Sequence, residues 1–460
     1  MSTLTKANLD VPVNHVADLV NFLARGARPR QDWGIGTEVE KLVLDRTNGA
    51  AASYTRVETL LETLEAEGGW RAIREEGHLI ALFGPQSSIT LEPGGQLELS
   101  GRICSDLHCT YGDFASHLAT IVDKARTIDL CFFGLGVQPF STPDEIAWVP
   151  KSRYTIMGPY MKRRGDMGQR MMKQTAGIQV NIDYQDEEDC IDKLRIALAT
   201  APLFYALFAN SPLLDGKPSG FLSTRGEIWS RTDNDRTGLL PELFADGAGY
   251  ATYVDYALDV PMYFILRDGR YLDLTTSRFT FRRYLAEGYG TYRPTLADWD
   301  LHLSTLFPEA RLRPQIELRS ADTLPARLTL AVPALAKGLL YDPDARDEIW
   351  SLLGHLNTVD RAQLCRDAWR SGLKARTGGH SLQAIAGEAL GIARRSLHRQ
   401  AVAAGHTLDE GIYLDSVEEI AASGVTLAER LLADWHGTRQ AKFAALRRHC
   451  GFGCQGEAFF

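Results

Sequence analysis

Ser88-Ile-Thr-Leu-Glu-Pro-Gly-Gly-Gln-Leu-Glu-Leu-Ser100 is the stretch from which the fold is read. Pro93-Gly94-Gly95 is a turn signal, and the runs on either side alternate polar with apolar residues, so the segment predicts a β-hairpin. Side chains alternate between the two faces of a strand. Thr90 and Glu92 therefore share a face in the first arm, opposite Leu91, and Gln96, Glu98 and Ser100 share a face in the second, opposite Leu97 and Leu99. Three other segments repeat the pattern. In residues 36–44, Glu38 and Glu40 point together, away from Val39. In residues 178–183, Gln179, Asn181 and Asp183 oppose Ile178, Val180 and Ile182, and in residues 315–319, Glu317 and Arg319 share a face.

Each of these strands, taken singly, reads as half-buried with a solvated polar face. Taken together they admit a second reading. Five glutamates, two amides and one arginine recur on the polar faces, with almost no lysine. Carboxylates gathered on one sheet face repel one another unless cations neutralise them. Hard divalent cations such as Mg²⁺ take oxygen ligands, often shared with phosphates, so a sheet lined with glutamate suits a nucleotide–magnesium platform.

The rest of the chain bounds the alternatives. With 460 residues, 45% apolar and 23% charged, it has the composition of a folded globular protein of several domain-sized units. The net charge of −8 argues against a duplex nucleic acid as partner. No run reaches the length of a membrane helix, and the N-terminus has no basic start followed by an apolar core, so a cytoplasmic protein without membrane partners is expected. Seven cysteines without a CxxC predict neither a disulfide framework nor a zinc ribbon; Cys450 and Cys454 are expected as two thiols in a reducing cytosol. No GxxxxGK[ST] loop occurs, and Gly34-Ile-Gly36 and Gly134-Leu-Gly136 lack the third glycine of a dinucleotide site. Phosphate handling would then fall to metal and arginine.

In organisation, residues 1–30 read as a leader with a short helix near 15–25, and residues 31–341 as a mixed catalytic core. Residues 342–460 read as a helical C-terminal subdomain with a loose, glycine-rich tail. Helices are expected over 328–340, 348–356 and 382–403, and Thr426-Leu-Ala-Glu429 has the form of a capping box. Lys151, Arg153 and Tyr154 cluster ahead of five further cations between 162 and 173, which suit either a solvated face or an anion site. Residues 223–238 are polar and loop-like, with Arg225, Arg231 and Arg236 beside Trp229. The fold class expected is α+β: an antiparallel sheet funnel carrying the site, flanked by helices.

These stretches together resemble the plant and proteobacterial type of glutamate–cysteine ligase, within the glutamine-synthetase-like carboxylate–amine ligases. The resemblance rests on GTEVEKLVL from Gly36, SITLEPGGQLELSG from Ser88, FFGLGVQP from Phe132 and PKSRYTIMGPYM from Pro150. It continues through QVNIDY from Gln179, LFANSPLLDGKPSGFLSTRGEIW from Leu207, DNDRTGLLPELF from Asp233, YVDYALDVPMYF from Tyr253 and DWDLHLSTLFPEARLRPQIELRSAD from Asp298. It implies an enzyme that uses ATP to phosphorylate the γ-carboxyl of L-glutamate, which the amine of L-cysteine then attacks. By matched motif, Glu38, Glu40, Glu92, Glu98 and Glu317 would ligate two or three Mg²⁺ ions, with Gln179 and Asn181 at the metal or nucleotide edge. Arg319, beside Glu317, would stabilise the transferring phosphoryl group. Arg225 would pair with the glutamate α-carboxylate, Trp229 would shape that pocket, and Arg153 and Tyr154 would touch substrate or nucleotide. The chain departs from its relatives in MMKQTAGIQVN from Met171 and ELRSAD from Glu317, next to the amine pocket. A γ-glutamyl ligase with another amine acceptor, and a silent cation-binding relative, are the alternatives. The protein is expected to act as a monomer or homodimer.

Overall fold

The structure is a computed structural model that describes residues 9–405 and 408–453. Cys454 and most of the expected loose tail lie outside the described residues.

Alternation of apolar and polar side chains organises a nine-stranded sheet in which every paired neighbour is antiparallel. Its strands are β1 (Ile35–Asp45), β2 (Arg71–Glu75), β3 (His78–Phe83), β4 (Ser88–Leu91), β5 (Leu97–Ser100), β6 (Leu130–Phe133) and β7 (Gly177–Ile182), then Ala310–Leu312 and Ile316–Asp322. β1 is the hub. Its first half lies between β5 and β7, and its second half pairs with β6. The hairpin read from residues 88–100 is β4 and β5, closed by a turn in which Gly95 takes a positive φ of 84°.

Helices cover the apolar face. Leu107–Thr127 packs on β1 and β6, and Glu187–Leu207, capped by Asp186, packs behind Ile316–Asp322. Ala331–Leu340 lies against β7 and carries Leu382–Ala404, which approaches so closely that a Cβ on Gly338 would stand 2.7 Å from Ala393 Cβ. Val39, Leu97, Leu99, Val180, Ile182 and Ile316 belong to one apolar cluster that also takes in residues beyond 342.

The expected helices occur at Val16–Ala24, Ala331–Leu340, Pro343–Leu353 and Leu382–Ala404. Thr426 and Glu429 form the capping box that opens Leu427–Ala433. Two features differ from the sequence reading. Residues 223–238 are not a continuous loop but contain the helix Thr224–Ser230, begun by the Ser223 hydroxyl accepting the Gly226 N–H. Cys104 and Cys109 form a disulfide, because the chain folds back at Asp106 to start Leu107–Thr127 and brings their Cα atoms to 5.7 Å.

The C-terminal segment completes the sheet. Gly134 N–H donates to the Cys450 carbonyl at 2.9 Å and Phe452 N–H donates to Phe132 at 3.0 Å, so residues 450–452 run beside β6.

Candidate active site

Register brings the separate polar faces together. Glu38 stands opposite both Ser100 and Gln179, Glu40 opposite Glu98, Glu98 opposite Thr90, and Glu317 opposite both Asn181 and Arg311. Directly paired residues share a face. Glu38, Glu40, Glu98, Gln179, Asn181 and Glu317 therefore line one surface, and Glu92 joins them from the hairpin turn. A bulge between Leu318 and Ala321 interrupts the last ladder just after Glu317.

The amides hold the glutamates from the side. Gln179 Nε2 donates to Glu40 at 2.8 Å, Asn181 Nδ2 donates to Glu38 at 3.1 Å, and Gly177 N–H donates to Glu40 at 2.6 Å. Glu98 accepts from Thr90 and Ser100. Burial, reinforced by Glu92 and Glu98, pushes the Glu40 carboxyl up to about 8, and burial with Glu38 and Glu92 pushes Glu98 up to about 7. Glu317 behaves oppositely: burial would raise it, but Arg311 and Arg319 hold it below the usual carboxylate range. Arg311 donates to it at 2.6 and 2.9 Å, and Arg319 pairs with its other oxygen.

Among the described residues no three acidic, histidine or cysteine side chains are gathered tightly enough to grip an ion unaided. The donor chemistry nevertheless fits a hard cation shared with phosphate. Mutually repelling carboxylates face one surface, and the buried oxygens Gln179 Oε1 and Asn181 Oδ1 accept no hydrogen bond among the described residues. Glu38, Glu40, Glu92, Glu98 and Glu317 are the residues that could hold it.

A cleft of about 90 Å³ adjoins this surface, lined by Glu40, Glu92, Arg153, Tyr154, Trp229 and Arg319 among others. The Trp229 ring lies 5.7 Å from the Arg319 guanidinium and 5.9 Å from that of Arg225. Arg225 is 2% exposed. Its Nη2 donates to the Arg319 carbonyl at 2.9 Å, while Nε and Nη1 find no acceptor among the described residues. Glycine at 177 makes room for it, since a Cβ there would stand 2.6 Å from Arg225 Nη2. Arg153 lies over the Tyr154 ring at 5.2 Å, and its Nε is likewise unpartnered among the described residues. A larger cleft, about 640 Å³, between Arg30 and Arg346 carries none of these residues.

Other sequence candidates fall elsewhere. Arg164 pairs with Asp233 and Asp235, Arg170 with Asp215, and Lys173 donates to the Pro143 carbonyl, so these cations are structural. Arg236 and Asp233 form a fully buried pair, and Arg231 pairs with Asp166 and Glu227. Asp183 leaves the glutamate surface to accept the Gly34 N–H at 2.8 Å. Gln96 ties the hairpin to the Met172 and Thr175 carbonyls. The sequence reading missed Arg311, although strand alternation across the Pro314-Gln315 turn would have set it opposite Glu317.

The profile of glutamate-cysteine ligase family 2 matches residues 34–449. The chain is 40% identical over 423 residues to the chloroplastic glutamate–cysteine ligase of Brassica juncea, covering 91% of this chain and 81% of that one. The Arabidopsis thaliana enzyme of the same name gives 40% over 423 residues, covering 91% and 80%. The chloroplastic glutamate–cysteine ligase B of Oryza sativa subsp. japonica gives 40% over 419 residues, covering 90% and 83%. Among solved structures, the glutamate–cysteine ligase of Francisella tularensis in complex with AMP superposes with a TM-score of 0.55 at 14% identity, over 91% of this chain and 88% of that one; the likeness is one of fold.

Proposed function

The chain belongs to glutamate–cysteine ligase family 2, and from that membership we infer that it joins L-glutamate to L-cysteine at the expense of ATP. The product is γ-glutamylcysteine, and the reaction is the first step of glutathione synthesis. A carboxylate is a poor electrophile; phosphorylating the glutamate γ-carboxyl gives an acyl phosphate, which the cysteine amine attacks with release of phosphate. Phosphoryl transfer depends on positioning and charge neutralisation more than on covalent help.

The observation that carries the residue assignment is the strand register that sets Glu38, Glu40, Glu98 and Glu317 on one surface with Arg319 beside them. We assign Glu38, Glu40, Glu92, Glu98 and Glu317 to two or three Mg²⁺ ions, with the Gln179 and Asn181 carbonyls at their edge. Bound Mg²⁺ supplies charge that polarises phosphate oxygens. Arg319 faces the transferring phosphoryl group, held in place by Glu317 and by the Trp229 and Phe307 rings. Arg225 receives the glutamate α-carboxylate on its two unpartnered nitrogens, with Trp229 as the pocket wall. Arg153 and Tyr154 contact substrate or nucleotide near Glu92.

In this reading the sheet forms the wall of a funnel built by residues 31–341, and the helices between residues 343 and 450 brace it from outside. One chain carries every residue invoked, so the site needs no second copy. No helix among the described residues is long and apolar enough to cross a membrane. The thiol substrate and ATP place the reaction in a reducing, ATP-containing compartment, which we take to be the cytoplasm.

The decisive experiment measures ADP release with Mg²⁺, ATP and L-glutamate against L-cysteine, L-2-aminobutyrate, other amino acids and no amine. Stimulation by cysteine and 2-aminobutyrate, with a γ-linked product by mass spectrometry, is expected. Preference for another amine would keep the mechanism and reassign the acceptor. Met171, Met172 and Thr175 line the cleft, and the positions that depart from relatives, Lys173, Gln174 and Ala176, lie between and beside them. Absence of glutamate-dependent turnover would leave a silent cation-binding relative. Glu38→Gln is expected to lower kcat by ~100-fold or more, as loss of a charged group at the reacting phosphate does. Undiminished activity would remove Glu38 from the metal set.

A further inference from the structure

We propose that Asp322 is a positioning residue for Arg225, acting through the hydroxyls of Ser211 and Ser223. Asp322 ends the strand Ile316–Asp322 and is 1% exposed, with no arginine or lysine hydrogen-bonded to it among the described residues. Its carboxylate accepts instead. Oδ2 takes the Asn210 N–H at 2.8 Å and the Ser211 hydroxyl at 2.7 Å, and Oδ1 takes the Ser223 hydroxyl at 3.0 Å.

Both serines pass this order on to the helix Thr224–Ser230. With its proton committed to Asp322, Ser211 Oγ presents a lone pair to the Arg225 N–H at 3.2 Å. Ser223 Oγ does the same for the Gly226 N–H at 3.3 Å, which caps the helix. A carboxylate accepts and never donates, so it fixes the direction of both hydroxyl protons and leaves each oxygen free to receive a backbone N–H. The segment is gripped from the other side by the Trp369 carbonyl, which receives the Leu222 and Ser223 N–H groups at 2.8 and 2.9 Å. Arg225 thus enters the site from a first turn whose backbone donors are already assigned. Its guanidinium makes no hydrogen bond to Asp322 among the described residues, although the two opposite charges attract through space.

This inference rests on the reading that Arg225 anchors glutamate, and the test separates the two. Asp322→Asn keeps shape but replaces one accepting oxygen by an NH₂, which either meets the Asn210 N–H donor on the Ser211 side or takes a lone pair of Ser223 Oγ and releases that hydroxyl's proton from its fixed direction. The expected result is a KM for glutamate raised roughly tenfold, the equivalent of one hydrogen bond to a charged group, with KM for ATP and the melting temperature little changed. Ser211→Ala and Ser223→Ala should each raise the glutamate KM in part, and Ser223→Thr, which keeps the hydroxyl, should restore it. Arg225→Lys is measured alongside. If Asp322→Asn and Arg225→Lys both raise KM for a substrate other than glutamate, the positioning link stands and the glutamate assignment falls. If Arg225→Lys raises the glutamate KM while folded Asp322→Asn does not, the proposal is overturned. Should Asp322→Asn fail to fold, the serine variants decide: unchanged glutamate KM in both overturns it.

Discussion

Glu98 meets two opposed demands at the scale of one residue. Burial and its carboxylate neighbours favour its protonated form in the metal-free protein, whereas the proposed Mg²⁺ ligation would require the ionised one. Its carboxyl, raised to about 7, makes the folded chain bind more protons than the unfolded one above the ordinary carboxylate range near 4.5. Stability of the metal-free protein therefore falls as pH rises from about 4.5 to about 7 on account of this group, and levels off above. Glu98→Gln keeps an oxygen for Thr90 and Ser100. It is expected to raise the melting temperature in a chelator by several degrees at pH 8 and by less at pH 5.5, while removing Mg²⁺–ATP turnover; differential scanning calorimetry beside an ADP-release assay reads both. At Arg225 the geometry, not the charge, is at stake: Arg225→Lys keeps the charge but loses the fork. It is expected to raise KM for glutamate about tenfold with little change for ATP, a loss of the order expected for one charge-assisted hydrogen bond. These glutamates were legible in the sequence because alternation fixes their face without knowledge of partners. Asp322 and Ser223 were not, since their significance lies in contacts spanning a hundred residues of chain.

At the scale of elements, the hairpin β4–β5 positions Glu92 at its turn, and the turn abuts the segment before β7. Gly94 is constrained by space: a Cβ would stand 2.2 Å from the Lys173 carbonyl oxygen, a backbone atom that cannot swing away. Gly94→Ala is expected to cost about 2 kcal/mol or more in urea unfolding, in the range of overpacking, and to lower kcat by displacing Glu92. A variant as stable and active as the parent would show that the turn tolerates that shift. The hairpin and β7 were readable from Pro-Gly-Gly and from period-two alternation. The helix Thr224–Ser230 was hidden because a seven-residue polar helix carries no apolar stripe; only the serine cap marked it. The long C-terminal helices, with wide apolar faces, were the plainest of all.

At the scale of the whole molecule, acid sensitivity should come from histidines that the packed core keeps neutral. Burial pushes His302 down to about 3; it is 3% exposed, with Nε2 set against the Ala257 carbonyl at 2.8 Å. Unfolded, the ring takes a proton near pH 6.5. Between that value and about 3 the unfolded chain binds the extra proton, so stability falls as pH falls across this window and is unaffected above it. By pH 5 this one group accounts for roughly 2 kcal/mol. His302→Gln lacks the titration, so its deficit relative to the parent should narrow by about that amount between pH 7.5 and pH 5 in urea melts; a constant deficit would show that His302 is protonated in the fold. How the sheet is completed could not be read from sequence, because the strip that borders β6 comes from residues 450–452, more than three hundred positions downstream, and has no strand pattern. That bordering strip has a consequence during synthesis. The ribosome releases β1, β6 and every glutamate of the site long before residue 452, and until that residue emerges β6 keeps an open edge. A nascent chain that has not yet reached residue 450 therefore holds the glutamates assigned to the site on a sheet whose β6 border is still unfilled.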